Sequence, residues 1–280
     1  MLIRKTPTAL AARPPLRRRI ATLLAMTLTI ATLLAALPAP AAAADVAPDE
    51  VATMILARIN AERVEAGLVA YRSWGELDTL AAQRAGRMVA AHTLSHAVAG
   101  GNVGSALDAG GIGWLGYGEI IATTGYPWGG EAAANIYGMW RNSPGHHAIM
   151  MSRTYNYIGI GVVRAEDGST WVSAVLTESL DHTVPVARNG TIAVRNRDDI
   201  VFRWSASDPR LQTHTAGVRT YDVRMRRDNG SWRTVRNDTT ATSLVLRDRY
   251  HRHWFTFRVQ AKDARGNLSR WTTEIRVWVR

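Results

Sequence analysis

Apolar residues recur every three or four positions early in the chain and every second position late in it. Val51, Ile55 and Ile59, continued by Arg63 and Val64, predict a helix over 50–66 that Gly67 closes. Leu77, Leu80, Ala81, Ala85 and Met88 predict a second helix over 76–91. Residues 97–116 are rich in glycine and read as a long loop. Ala132, Ile136, Met139 and Trp140 predict a third helix that stops at Pro144. Residues 158–163 and 171–176 read as strands joined by the turn Glu166-Asp167-Gly168-Ser169. Helices first and strands later predict an α+β layered domain.

Beyond about residue 187 the period changes to two. Ile200, Phe202 and Trp204 alternate with Val201 and Arg203, and Tyr221, Val223 and Met225 alternate with Asp222, Arg224 and Arg226. The same pattern runs through Phe255, Phe257, Val259 and Ala261, and through Ile275, Val277 and Val279. Asp228-Asn229-Gly230 and residues 263–267 supply turns, so residues 187–280 read as an all-β sandwich.

Residues 1–44 read as an export signal. Arg4, Lys5, Arg13, Arg17, Arg18 and Arg19 precede an apolar stretch over 20–37, and the alanines 41–44 offer a cleavage site before Asp45. An uncleaved anchor is the competing reading, because 18 residues can just span a bilayer. Cleavage leaves 236 residues, enough for two domains, and points to a secreted or cell-surface protein. There is no cysteine, so each domain relies on its own apolar core, to which ten tryptophans are expected to contribute much. Formal charge separates the two. Residues 45–182 carry eight Arg/Lys against 14 Asp/Glu, and residues 183–280 carry 20 against nine. The break near 183 is the expected boundary, giving domains 45–182 and 187–280.

Three side chains in the first domain can carry chemistry: His96, Glu119 and His146. They stand in the segments Leu94-Ser95-His96, Tyr117-Gly118-Glu119-Ile120-Ile121-Ala122 and Trp140-Arg141-Asn142-Ser143-Pro144-Gly145-His146, with the apolar, glycine-bearing run 158–163 downstream. Together, in this order, these segments resemble the CAP (SCP-like) superfamily over about residues 50–182, most closely its cysteine-free bacterial branch. The resemblance implies an α-β-α sandwich. It also implies that His96, Glu119 and His146 meet in one cavity, which spacing alone does not show. Two imidazoles and a carboxylate suit Zn²⁺ or a similar divalent ion. The competing reading is a hydrogen-bonded group that locks the fold. The chain departs from the family pattern twice. Ile120 stands where an Asn follows the Glu, and the second Glu near Trp140 has only Glu131 or Ser143 as a counterpart. His92 is expected on the helix surface and His147 is expected to point away from the cavity. A serine-hydrolase reading through Ser143, His146 and Glu119 lacks a nucleophile elbow, and Ser143-Pro144-Gly145 suits a turn better.

In the second domain, Trp204, Tyr221-Asp222-Val223 and the run 257–263 with Gly266-Asn267-Leu268-Ser269 resemble a fibronectin type III-like or related immunoglobulin-like domain. Its arginines fall mostly on the outward phase of the strands. That pattern reads as a solvated face or as attachment to an anionic polymer of the cell envelope. No nucleic acid is expected, since no such motif is present. The leading expectation is a non-enzymatic ligand-binding or envelope-associated module, whose CAP relatives imply a lipid or other small ligand in the cavity. A metal-dependent hydrolase acting on envelope material and an adhesion or spacer protein with a vestigial cavity are the alternatives. Export predicts a mature N-terminus near Asp45. N-terminal sequencing checks this, and retention of Met1 in a membrane fraction would refute cleavage.

Overall fold

A computed structural model describes residues 46–247 and 251–280. The expected export segment lies outside the described residues. Among them, no helix is long and apolar enough to cross a membrane.

The first lobe is a four-stranded sheet between helices. Its strands run in the order β1 (Arg72–Ser73), β3 (Tyr157–Arg164), β4 (Thr170–Glu178), β2 (Gly116–Thr124), antiparallel except for the β1–β3 pair. One face carries Ile120, Ala122, Ile158, Ile160, Val172 and Ala174. It buries them against Val51, Ile55 and Ile59 of α1 (Pro48–Glu65) and Ile136 and Trp140 of α4 (Gly130–Arg141). The opposite face receives α2 (Gly75–Ala90), with Leu77, Leu80 and Ala81 packed on Val175 and Tyr157. Layer order is therefore α-β-α. Ile120, which departs from the family's Asn, turns into the α1/α4 core and is fully buried. Its neighbour Glu119 points to the other face because side chains alternate along a strand.

The glycines of the 158–163 run determine how close α2 comes to the sheet. A Cβ on Gly159 would lie 2.1 Å from the Leu77 carbonyl carbon, and one on Gly161 would lie 2.0 Å from the Ala82 nitrogen. The helix backbone thus rests on strand backbone, which only glycine permits.

Two expectations need correction. Residues 97–116 are not one loop, since Val103–Ala109 forms α3. Asn102 starts it by accepting a hydrogen bond from the Ser105 N–H at 3.2 Å, as a capping Asn does. The glycines around it concealed the helix. Likewise, Pro144 does not merely stop a helix. It opens α5 (Pro144–Met150), where its missing N–H costs nothing in the first turn.

The second lobe has two antiparallel sheets. One runs β11 (Ile275–Val279), β10 (His253–Asp263), β7 (Val218–Arg227), β8 (Arg233–Thr239). The other runs β5 (Val186–Arg195), β6 (Asp199–Ser207), β9 (Ser243–Leu246). Phe202, Trp204, Tyr221, Val223, Phe257 and Val259 form a core shared by both sheets. The tryptophan expectation fails here. Trp204 is buried in this core, but Trp232, Trp254, Trp271 and Trp278 are half-buried or exposed. They occupy the outward phase or the adjoining loops, where alternation leaves no core to fill.

The lobes share a wall. The segment between β6 and β7 inserts Leu211, 2 % exposed, into the Leu77/Leu80/Tyr157/Val175 cluster. Around it, the Val69 N–H donates to Gln212 Oε1 at 2.8 Å, Asn156 Nδ2 donates to the Thr213 carbonyl at 3.1 Å, and the Ala216 N–H donates to Asp181 Oδ2 at 2.7 Å. Residues Asp45–Arg280 form one compact unit. Leu211→Ala is expected to cost about 2–5 kcal/mol, the usual range for emptying a buried leucine site. A fragment ending at residue 182 should melt below the whole protein by differential scanning calorimetry. Equal melting temperatures would show that the shared wall contributes nothing to the first lobe.

Candidate functional site

Glu119 is the centre of the site, and its partners are only partly those the motifs suggest. It sits on β2, facing α2, with its side chain 4 % exposed. His96 Nδ1 lies 2.6 Å from Glu119 Oε2. Arg84 meets the same carboxylate as a fork, Nε to Oε1 at 2.5 Å and Nη2 to Oε2 at 2.8 Å. Ser173 Oγ donates to Oε1 at 2.8 Å from the adjacent β4. Arg84 is itself fully buried. It donates further to the Gly101 carbonyl at 2.9 Å and leaves Nη1 buried without an acceptor among the described residues.

The sequence reading missed Arg84 and Ser173. The signal for Arg84 was present, because it stands four residues after Leu80 and seven after Leu77 on the apolar stripe of α2. An arginine on a buried stripe must find a carboxylate or several carbonyls. Arg63 repeats the pattern on α1. It donates to the carbonyls of Val69, Met150 and Ser152 and lies 3.5 Å above the centre of the Tyr71 ring.

His146 stands in the first turns of α5. Its Nδ1 meets Ser143 Oγ at 2.9 Å, and it makes no hydrogen bond to Glu119. Among the described residues, His96, Glu119 and His146 do not bring one ligand atom each within 4.8 Å of the others. His147, the next residue, turns to α1. Its Nε2 lies 3.0 Å from Glu62 Oε1, which Tyr137 and Arg141 also approach. One residue along a helix rotates the side chain by about 100°, which sends the two histidines to different partners. Glu131 lies in the first turn of α4, and Ser143 is the nearer polar neighbour of His146. His92 is exposed, at the end of α2.

The electrostatics follow from these contacts. Burial pushes the Glu119 carboxyl upward, but the hydrogen bonds from Arg84 and His96, with the Arg84 charge, outweigh it and hold the group below its ordinary value. Burial and then the neighbouring His96 push His146 below its ordinary value, so the neutral ring is favoured. Glu119 does not suit a metal ligand, since both oxygens are engaged and a guanidinium adjoins them. The imidazoles suit one better. With Nδ1 of His96 on Glu119 and Nδ1 of His146 on Ser143, each ring keeps Nε2 without a hydrogen bond among the described residues, and a carboxylate behind a ligating imidazole is a common orienting arrangement. A surface cavity of about 410 Å³ lies beside the site between α2 and α3. Leu80, Gln83, Arg87, Ala106 and Ile112 line it, and the three motif residues do not.

Residues 56–175 match the model of the CAP, cysteine-rich secretory protein family. This stretch is a CAP domain. In structure, the CAP half of the chain is similar to an outer surface protein of Borrelia burgdorferi, at 16 % identity and a TM-score of 0.43, covering 48 % of this chain and 96 % of that one. It is also similar to an extracellular SCP-domain protein of Bacillus anthracis, at 20 % identity and 0.40, covering 49 % and 45 %. A cysteine-rich secretory protein of Staphylococcus aureus follows at 15 % and 0.39, covering 49 % and 40 %. The chain thus spans less than half the length of the last two. No curated protein matches the sequence significantly.

Removing the charge of Glu119 strands Arg84 in the interior. Glu119→Gln is expected to cost about 3–5 kcal/mol in urea denaturation, and Arg84→Met with Glu119→Gln should recover part of it. Acid should act in two steps. His146, depressed in the folded state, gives stability that is present above its ordinary value of 6.5 and fades as pH falls through the folded value. Glu119, also depressed, gives stability present above 4.5 and lost below it. His146→Asn should remove the upper step and Glu119→Gln the lower, read from melting temperature against pH.

Proposed function

We propose that this is an exported, envelope-associated CAP-domain protein that binds a ligand and performs no chemistry on it. The observation that supports this reading is the engagement of Glu119. Its carboxylate receives Arg84 twice, Ser173 once and His96 once. A group held this way, with its affinity for protons lowered, is a poor general base and a poor metal ligand. It serves instead to hold α2, β2, β4 and the His96 segment together. The cavity between α2 and α3 lies in the volume range of small-molecule sites, and its lining, apolar at Leu80, Ala106 and Ile112 and polar at Glu76, Gln83 and Arg87, suits an amphipathic lipid or other small ligand. The second lobe, a fibronectin type III-like sandwich in this reading, holds the protein to an anionic polymer of the envelope through its excess of arginine.

A second reading keeps the metal. The uncommitted Nε2 atoms of His96 and His146 support a two-imidazole site for Zn²⁺, with Glu119 behind His96 as orienting carboxylate rather than ligand. Such an ion would supply Lewis-acid chemistry at the surface, and two protein ligands would hold it weakly.

Thermal shift with zinc separates the two. The leading reading expects a melting temperature indifferent to micromolar zinc at pH 7.5. The second expects a rise by mass action that His96→Ala and His146→Ala abolish, and that is lost below about pH 6 as the rings protonate. A zinc response accompanied by hydrolysis of isolated envelope material would overturn the leading reading.

A further inference from the structure

The outer face of the β11-β10-β7-β8 sheet alternates indoles with guanidiniums. Arg258 lies 4.3 Å from the centre of the Trp232 ring and 4.8 Å from that of Trp271, so one guanidinium is shared by two indoles. Arg224 stacks on Trp271 at 4.7 Å and Arg226 on Trp232 at 4.9 Å. At the β11 edge, Trp254 and Trp278 pair at 5.4 Å, with Arg276 4.5 Å from the Trp254 ring. Strand alternation puts Arg224, Arg226, Trp254, Arg258, Arg276 and Trp278 on one side, opposite Phe255, Phe257 and Val259 of the core, and Trp232 and Trp271 stack onto that side from the adjoining loops. Glu274 answers Arg226 at 2.6 Å.

This is an unusual way to hold arginines. The Nε–H groups of Arg226 and Arg258 are buried without an acceptor among the described residues, and the indoles restrain the planar guanidiniums by stacking. Arg226 is further tied to Glu274 through Nη2, while Arg224 and Arg258 stay half-buried on the face. Arg258 and Arg224 are direct cross-strand partners, about 5 Å apart at their roots. Arg224 and Arg226 follow two residues apart on one strand, about 7 Å. The face therefore sets guanidiniums able to hydrogen-bond anions beside flat aromatic rings.

A ligand that answers both is a linear polymer with an anion on each ring-shaped unit. We propose, resting on the envelope-associated reading above, that this face binds an acidic polysaccharide of the polyuronate class. Sugar rings pack on the indoles, and successive carboxylates meet the forked guanidiniums, whose geometry fits a carboxylate two-pronged. The excess of 20 Arg/Lys over nine Asp/Glu in residues 183–280 gives the charge complementarity that draws such a chain in. A phosphodiester polymer without rings leaves the indoles unused. A bilayer calls for aliphatic side chains among the aromatics, and Thr256, between Arg226 and Arg276 in register, is the kind of residue found there instead.

Tryptophan fluorescence of the whole protein, titrated with purified oligogalacturonate, tests this, because the indoles lie in the contact. Saturable quenching is expected, weakening as salt rises from 50 to 200 mM. Arg224→Gln with Arg258→Gln should lose roughly ten-fold or more in affinity, while Arg195→Gln on the other sheet should not, with melting temperatures confirming that both fold. Absence of quenching, equal loss in both variants, or tighter binding to polyglycerol phosphate, single-stranded DNA or phosphatidylglycerol vesicles would overturn the proposal. Sedimentation with isolated envelopes keeps the two readings apart. Retention and uronate binding that both survive the double variant overturn the indole–guanidinium face and spare the envelope reading. Failure of the wild type to sediment overturns the envelope reading, while uronate binding lost in the double variant still supports the face.

Discussion

The site of the CAP domain is organised around a buried charge, the guanidinium of Arg84. A fully buried arginine cannot be left without partners, and those that answer it come from four separate segments of the chain. Glu119 arrives on β2, Ser173 supports Glu119 from β4, and the carbonyl of Gly101 comes from the segment before α3. His96 completes the set from the turn after α2. Each element that touches the pair is thereby positioned relative to α2. The motif residues of the site are thus held by a structural ion pair, and their chemistry is limited by it. A carboxylate that neutralises a buried guanidinium is not free to take up a proton or a cation.

The same logic explains how α2 can sit where Arg84 needs it. Gly159 and Gly161 remove the side chains that would hold the helix off the sheet. The approach of backbone to backbone brings the root of Arg84 near enough for its fork to reach across to β2. Packing and electrostatics act here on the same helix, since the glycines set how close α2 comes and the ion pair ties it to β2.

Periodicity revealed most of the fold. The stripes on α1 and α2, the two-residue alternation of the second lobe and the strand pair around the 166–169 turn were legible because burial imposes those repeats. Short elements were not. The seven-residue α3 is carried by one Asn cap among glycines, and α5 begins at a proline that also resembles a terminator. At the site, the motifs led to His96 and Glu119, which do meet. They did not lead to Ser143 as the hydrogen-bond partner of His146, which depends on how α5 begins, nor to Arg84, which apolar counting passes over as a gap in the stripe. Tryptophan misled for a physical reason. Its ring is amphipathic, and beside arginine it is as stable on a face as in a core.

The Leu211 contact has a consequence for the order of events during synthesis. The chain leaves the ribosome N-terminus first, so every strand and helix of the CAP domain is available before residue 211 appears. Until then the cluster around Leu77, Leu80 and Tyr157 lacks one wall and faces water. Completion of the earlier domain waits on the later one, and in the interval an apolar patch stays open to any holding factor that recognises unfinished chains.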